Sequence, residues 1–428
     1  MNTEPVRFQI AAGETHDEEK IQQYRKVLVS PTVNCPEPFP GFGGMCGWPK
    51  VCRLQNGDLY VTHSASYWHT GWQTPISDSQ GTAYAAELAA KKRIEWILDW
   101  DAPDGVKCMW IRSSDNGKTW SRPKPFPQIP NVYYIGDVVQ MTDGTMFSGA
   151  VIQLAYGMHE KMPPTPIEYA QEYVRFGLPR RLVIFRSDDN GESWYEVSRP
   201  HGPFLFPNHP QTFMEGKDGS LILFVDGVPY PAGKGWPSKK EHWIMAMMRS
   251  EDRGETWSTV SVAGSNEFDS NEPSAAYLPD GSIGTPSRPT SHWWQSWDEG
   301  RTWANRGRLF PVESDESAAI FKKGDLLITK GGIVVLVYCT SVTGYGQVIY
   351  SRDNGDTWIK SDADRGFQFD PLSYYPDACL LDDDTIFVVG DHQGFECEYG
   401  PFGAESIAMR FRIREPGEGE GIELLPIG

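Results

Sequence analysis

The chain has 428 residues, with 57 acidic side chains against 39 basic ones and a formal charge of −18. That balance disfavours nucleic acid and anionic membrane as partners, because their phosphates would be repelled over much of the surface. The 43 Gly and 33 Pro argue against long helices, while 16 Trp, 18 Tyr and 20 Phe spread along the chain argue against disorder and supply a large core.

The first segment, MNTEPVRFQIAAGETHDEEK, has no basic stretch followed by an apolar one. Its lack of a visible signal peptide points to a cytoplasmic protein. A membrane span is not expected, since the longest apolar run is about Ile333 to Cys339. Seven Cys at irregular spacings form neither a disulfide framework nor a zinc motif, and they read as reduced. No phosphate loop, nucleotide fingerprint or metal-ligand spacing is present, so no cofactor and no metal are expected.

One octamer recurs along the chain: SSDNGKTW (113–120), SDDNGESW (187–194), SEDRGETW (250–257), SWDEGRTW (296–303) and SRDNGDTW (351–358). Ser-x-Asp-x-Gly-x-Thr/Ser-Trp has the chemistry of a tight turn. The Asp carboxylate accepts loop N–H groups, Gly takes a positive φ, and Trp packs beneath. A second set of turns alternates with it: QNGDLYV, TDGTMFS, KDGSLIL, PDGSIGT, KGDLLIT and DDDTIFV, centred at 57, 144, 219, 281, 324 and 384. From each octamer Asp to the next of these centres the chain runs 29, 30, 29, 26 and 31 residues, whereas the return distances vary widely. A constant half and a variable half fit four-stranded antiparallel blades with both turn types on one rim and insertions on the other.

The expected fold is therefore all-β, a six-bladed β-propeller in one domain over 1–428. The ring runs from about 25 to 413, and RKVLVSP (25–31) supplies the outer strand that closes the sixth blade. Helical insertions are expected at 82–100 and 166–176, and a solvated, mobile acidic tail at about 415–428.

The octamer is the Asp box, and the chain resembles the sialidase (neuraminidase) superfamily over roughly 30–413. The sharper match is NEPSAAYLPDGSIGTPSR (271–288), where Glu272 precedes Pro and Arg288 follows it by sixteen residues. The resemblance implies that Glu272 is the base that activates a Tyr nucleophile and that Arg288 grips a substrate carboxylate. In SYYPDACLLDDDTIFVVGD (373–391), Tyr375 stands nine residues before its turn, as Glu272 does before Gly281. Equal offsets make Tyr375 the implied nucleophile, with Tyr374 the alternative if the register slips by one. A phenol needs such a base, its unperturbed pKa being about 10. The family's first arginine would fall at Gly47-Trp48-Pro49, its third near Gly346-Gln347, and its acid/base Asp around Thr70-Gly71-Trp72; none of these is present. A divergent member, rather than a strict sialidase, is the reading.

The same offsets outline a polar, acidic and aromatic cup. Nine and ten residues before the turns stand Trp48, His209, Asn271, Glu272, Asp315, Tyr374 and Tyr375, and seven before them Lys50, Asp137 and Asp377. Returning strands bring Asp226, Arg288, Asp391 and His392, with His63 nearby. Catalysis is assigned to Glu272 and Tyr375, with His63, His69, His209 or Asp137 to protonate the leaving group. Substrate binding falls to Arg288, Trp48, Lys50, His209, Asn271, Asp315, Tyr374, Asp377, Asp391 and His392, with Trp68 and Trp72 as stacking faces. The function expected is an exo-acting, retaining glycoside hydrolase that cleaves a terminal sugar, acidic sugars included, from a glycan. A polysaccharide lyase and a non-catalytic glycan-binding propeller are the alternatives. Sequence assigns neither the sugar nor the oligomeric state.

Overall fold

The computed structural model describes residues 4–12, 17–38, 42–66, 106–126, 132–153, 180–229, 243–263, 270–310, 323–339, 346–370 and 374–428. The insertions expected to be helical, at 82–100 and 166–176, lie outside these residues. Among the described residues, antiparallel strands dominate, and the α-helix Glu18–Tyr24 is short. No helix among them is long and apolar enough to cross a membrane.

Two sheets have four strands in chain order. One comprises Val132–Gln140, Met146–Gln153, Arg180–Ser187 and Tyr195–Ser198; the other comprises Phe204–Glu215, Leu221–Pro229, Ile244–Ser250 and Ser258–Ala263. A third sheet starts with the short pieces Ser270–Asn271 and Ala276–Tyr277, both paired with Ile283–Pro289, and continues through His292–Ser296 and Ala304–Arg308. The fourth runs Lys323–Ile328, Val334–Cys339, Gly346–Ser351, Thr357–Lys360, and the N-terminal Arg7–Ile10 adds a parallel strand outside it. The nine-stranded sheet contains two antiparallel runs, one from Met45–Arg53 to Lys124–Pro125, the other from Tyr374–Leu380 through Ile386–Cys397 to Gly400–Ile413. These runs meet at one parallel pair, Ala404 with Met45. Lys26–Val29 pairs antiparallel with Ser406–Ala408, so the N-terminal segment does supply the expected outer strand.

First strands touch in sequence: Met45–Arg53 against Val132–Gln140, and that strand against Phe204–Glu215. Further round, Ala276–Tyr277 meets Lys323–Ile328, which meets Tyr374–Leu380, which returns to Met45–Arg53. The core lies between neighbouring sheets. Tyr60 and Trp110 pack with Phe185 and Trp194 in one cluster, and Val61 and Ile111 pack with Phe387 and Val389 in another.

The octamers explain how neighbours lock. In the first, Asp115 Oδ1 accepts from Thr119 N (2.8 Å), Gly117 N donates to Ser113 Oγ (2.9 Å), and Trp120 Nε1 donates to the Gly117 carbonyl (3.0 Å). Gly117 sits at φ 86, and a Cβ there would lie 2.6 Å from Phe387 in the last antiparallel run. The same position in the fifth octamer, Gly355, lies against Trp293 of the preceding sheet. Each turn is thus a wedge pressed into the sheet before it.

Two expectations are corrected. The fifth turn is not centred at Gly324: Lys323–Ile328 is a strand, and the chain reverses at Thr329–Ile333, with Gly332 at φ 79 and its N–H on the Thr329 carbonyl (2.9 Å). The Gly-Asp pair resembled turn punctuation, but the apolar run beginning at Ile333 is the returning strand. Nor is the tail a mobile appendage. Ile422–Leu425 pairs with Arg410–Ile413, Arg412 is paired with Glu418 and Glu423, and Ile427 is buried beside Phe387.

Candidate active site

The inner strands break their ladders at the same offset. Register shifts occur between Gly47 and Lys50 and between Tyr374 and Asp377, while Glu272 occupies the gap between the two short strands that open its sheet. At these breaks Trp48, Glu272 and Tyr375 all adopt left-handed backbone, with φ of 54, 43 and 50. Such a conformation costs a non-glycine residue about 1–3 kcal/mol, and a bulge re-aims the side chain it carries. Three strained residues at one offset mark a built site.

Arg288 joins two of them. It lies across the ladder from Asn271, and its Nη1 reaches Glu272 Oε2 at 2.5 Å and donates to Tyr375 Oη at 3.1 Å. Glu272 is 5% exposed. Burial pushes the Tyr375 phenol up, and the neighbouring Glu272 charge adds to this; Arg288 acts in the opposite sense. Burial opposes the Arg288 charge, yet Glu272 and Tyr375 outweigh it and hold the guanidinium above its ordinary value.

Trp48 packs with Met45, Ala404 and Tyr375. Its left-handed backbone is held from below, where the Trp48 N–H donates to Asp391 Oδ2 at 2.8 Å. Gln393 Nε2 donates to the same oxygen at 2.5 Å, while Asp391 Oδ1 has no hydrogen-bond partner among the described residues. Burial pushes Asp391 up to about 7, against the pull of those donors. The carboxylate also fills the space above Gly47, where a Cβ would lie 2.8 Å from Oδ2.

On the other side of Glu272, His209 Nδ1 lies 3.8 Å from Glu272 Oε1 and 3.6 Å from Asp226 Oδ1. Asn208 Nδ2 contacts the same ring nitrogen and donates to Asp226 Oδ2 at 3.2 Å.

Two residues further along each inner strand, a second ring is buried. Lys50 Nζ contacts Asp137 (2.6 Å) and Asp377 (3.0 Å), Lys323 faces Asp377 at 3.8 Å, and Ser274 Oγ donates to Asp325 at 2.8 Å. Asp377 also accepts from Val51 N at 2.7 Å, and Asp325 from Ala378 N at 2.9 Å. Burial raises Asp137 and pushes Asp325 up to about 7, while burial and Lys50 lower Lys323. Oxygens of Asp137, Asp325 and Asp377 lie within 4.8 Å of one another, a spacing that would suit a cation. The Lys50 ammonium already provides counter-charge to two of them.

The structure therefore sorts the expected residues. It brings Glu272, Arg288, Tyr375 and Trp48 together, with His209 and Asp391 beside them. Lys50, Asp137 and Asp377 belong to the buried ring, so Asp137 has Lys50 rather than a cup residue as its closest charged partner. His63 is 2% exposed and pushed down to about 4 by burial, which removes it as an accessible proton donor. His392 faces Glu405 at 3.3 Å on the long hairpin that ends the chain's last antiparallel run. Tyr374 is paired with Asp391 in the ladder, and its side chain, like His69, Asp315, Trp68 and Trp72, lies outside the described residues. With the fifth turn at Gly332, the offsets that pointed to Asp315 select Lys323 and Asp325 instead, two residues that the sequence reading missed. The Gly-Gly pair at 331–332 was the signal that could have found them.

No family model matches the chain, and no curated protein matches it in sequence. Solved structures do. A protein of unknown function from Dyadobacter fermentans superposes with a TM-score of 0.59 at 18% identity, covering 90% of this chain and 97% of that one. The NanB sialidase from Streptococcus pneumoniae gives 0.55 at 13%, covering 92% and 72%. The Penicillium chrysogenum α-L-arabinanase, solved with arabinobiose, gives 0.55 at 13%, covering 90% and 98%.

The fold is that of the sialidase-like β-propellers. At this identity the likeness extends to the fold, which hosts more than one activity.

Proposed function

We propose that the protein is an exo-acting, retaining glycoside hydrolase on a six-bladed ring, in which the nine-stranded sheet counts as two blades. The observation that carries this is the convergence of Glu272 and Tyr375, both at strained breaks of their inner strands, on one guanidinium. In this reading Glu272 takes the phenolic proton as Tyr375 Oη attacks the anomeric carbon, and Arg288 stabilises the phenolate as it forms. The glycosyl–tyrosine intermediate is then hydrolysed by water. Neighbours of this fold that are named as a sialidase and an arabinanase support a glycan substrate.

The charges favour an uncharged terminal sugar. A carboxylate would need a cation free to pair with it, and Arg288 is already engaged by Glu272. Where the resemblance calls for the first arginine, Gly47 is pressed against the Asp391 carboxylate. Where it calls for the third, the Gln347 amide oxygen is taken by Tyr338 Oη at 2.7 Å and Gly366 N at 3.0 Å.

The test is mass spectrometry of products from a library of sialylated, uronate-ended and neutral-ended glycans. Loss of one terminal sugar with gain of water is expected from the wild type, with Glu272→Ala and Tyr375→Phe folded and at least about 100-fold slower. Saturable binding without any product would replace the hydrolase by a binding propeller. An unsaturated product would replace it by a lyase, and an active Tyr375→Phe enzyme would remove the nucleophile.

A further inference from the structure

A retaining hydrolase needs a proton donor for the departing oxygen as well as a nucleophile. Resting on that reading, we propose that His209 is the acid/base group of this site, poised by a buried Asp226 carboxylate. The Asp that the resemblance expects around Thr70–Trp72 is absent from the sequence. His63 is sealed in the core, and Asp137 is spent on Lys50. His209 is different. It sits one residue before a bulge of its inner strand, its side chain 15% exposed, with Nδ1 3.8 Å from the carboxylate that serves Tyr375.

The surroundings suit an imidazole that cycles its proton. Asp226 is fully buried and pairs with His209 across the strand ladder. One of its oxygens, Oδ2, accepts from Asn208 Nδ2 at 3.2 Å; the other, Oδ1, has no hydrogen-bond partner among the described residues and lies 3.6 Å from His209 Nδ1. A buried carboxylate oxygen without a donor is costly. Protonation of His209 at Nδ1 supplies the missing donor. Before proton uptake, the Asn208 amide points an N–H at Nδ1 and leaves the ring proton on Nε2. Proton uptake exchanges that contact for one to Asp226, so Nδ1 has two alternative partners, the Asn208 amide and, at 3.6 Å, Asp226 Oδ1.

The proton balance closes. In the first step, the Nε2–H proton of the imidazolium passes to the glycosidic oxygen, the C–O bond breaks with its electron pair on that oxygen, and Tyr375 Oη takes the anomeric carbon. The ring is left neutral with its proton on Nδ1, held by Asp226. In the second step, Nε2 removes a proton from water, the water oxygen attacks the anomeric carbon, and the phenolate leaves to be reprotonated by Glu272. Every proton returns to its starting group.

The experiment separates a proton donor from a structural residue by the leaving group. Wild type, His209→Gln and Asn208→Ser are assayed on methyl and dinitrophenyl glycosides of the neutral sugars, with thermal melting as the check on folding. A methyl alcohol leaves only with a proton, whereas a dinitrophenolate does not need one. His209→Gln is expected to lose about 100-fold or more on the methyl glycosides. Its kcat/KM should stay within a few-fold of wild type on the dinitrophenyl ones, while kcat falls because the glycosyl intermediate has lost its base for water, and added azide should restore that turnover. Asn208→Ser, which keeps the imidazole, should show the same asymmetry in weaker form, and it carries the test if His209→Gln melts early. Equal losses on both substrates, or no loss on either, overturn the proposal while leaving the hydrolase in place. A wild type inactive on every glycoside overturns the hydrolase reading, and the proton donor with it.

Discussion

Lys50 decides whether the buried ring is scaffold or binding surface. Its ammonium, 3% exposed, lies between Asp137 at 2.6 Å and Asp377 at 3.0 Å, with Lys323 the other cation in the ring. Lys50→Met keeps much of the stem and removes the charge, leaving Asp137, Asp325 and Asp377 facing one another. Removing one partner of a buried ion pair costs about 3–5 kcal/mol. With about 2.1 cal/mol/K of unfolding entropy per residue, that is a fall in melting temperature of about 3–6 °C for a chain of this length. The loss should shrink below neutral pH, where Asp137 and Asp325, both raised by burial, take up protons. A double-mutant cycle sharpens the test. Asp137→Asn should destabilise the wild type and be neutral or stabilising in Lys50→Met, because there it removes an unpaired charge. Calorimetry and urea unfolding read both effects. A Lys50→Met protein as stable as wild type that has lost only glycan binding would refute the scaffold assignment.

Three further outcomes are expected. Gly355→Ala forces a side chain into left-handed backbone, with its Cβ 2.9 Å from Trp293 Nε1, and should cost about 2–5 kcal/mol in urea unfolding; an unchanged midpoint would mean that the octamer turn is not a wedge. Burial pushes Asp325 and Asp391 up to about 7 from an ordinary value of 3.8. A carboxyl raised on folding gives stability that is complete below its unfolded pKa and is lost as pH rises through the folded value, so stability should decline between about pH 4 and 7. Asp391→Asn should flatten part of that slope. His63, pushed down to about 4, acts in the opposite sense and should erode stability as pH falls from about 6.5 towards 4.

Much of the fold was legible because its information is local and repeated. Each octamer encodes a turn whose Asp, Gly and Trp have separate tasks, and in the first these can be seen in Asp115, Gly117 and Trp120. The Glu272–Arg288 pair was legible for a related reason. A hairpin turn at Gly281 places a residue nine before it almost opposite one seven after it, and the ladder pairs Asn271 with Arg288. The fifth unit failed because Gly324-Asp325 mimics a turn, while the side chains that matter, Lys323 and Asp325, are polar residues inside a strand. Charges in a strand read as surface until the partners on other strands are known, and those partners lie far off in sequence: Lys50 and Asp377 are 327 residues apart. A similar separation hid the role of Asp391, expected to bind substrate, which holds the backbone of Trp48, 343 residues away.

That hidden contact bears on the sugar. If the cup had kept a cation at Gly47, an acidic sugar would be held by it; instead the Asp391 carboxylate, with one oxygen unpartnered among the described residues, lies behind Trp48. Bringing a further carboxylate toward Glu272, Asp226 and Asp391 with Arg288 already paired is unfavourable by like-charge repulsion, and desolvation of the incoming ion adds to it. The expectation is at least about tenfold higher kcat/KM for a neutral dinitrophenyl glycoside than for the uronate of the same ring configuration, a difference of about 1.4 kcal/mol or more in transition-state binding. Raised salt should narrow the gap by screening the repulsion. Gly47→Arg should not rescue the uronate, because the new side chain must first displace Asp391 and with it the strained backbone of Trp48. A uronate or sialoside turned over faster than its neutral counterpart would show that a cation reaches the cup from outside the described residues, and the charge argument would fail.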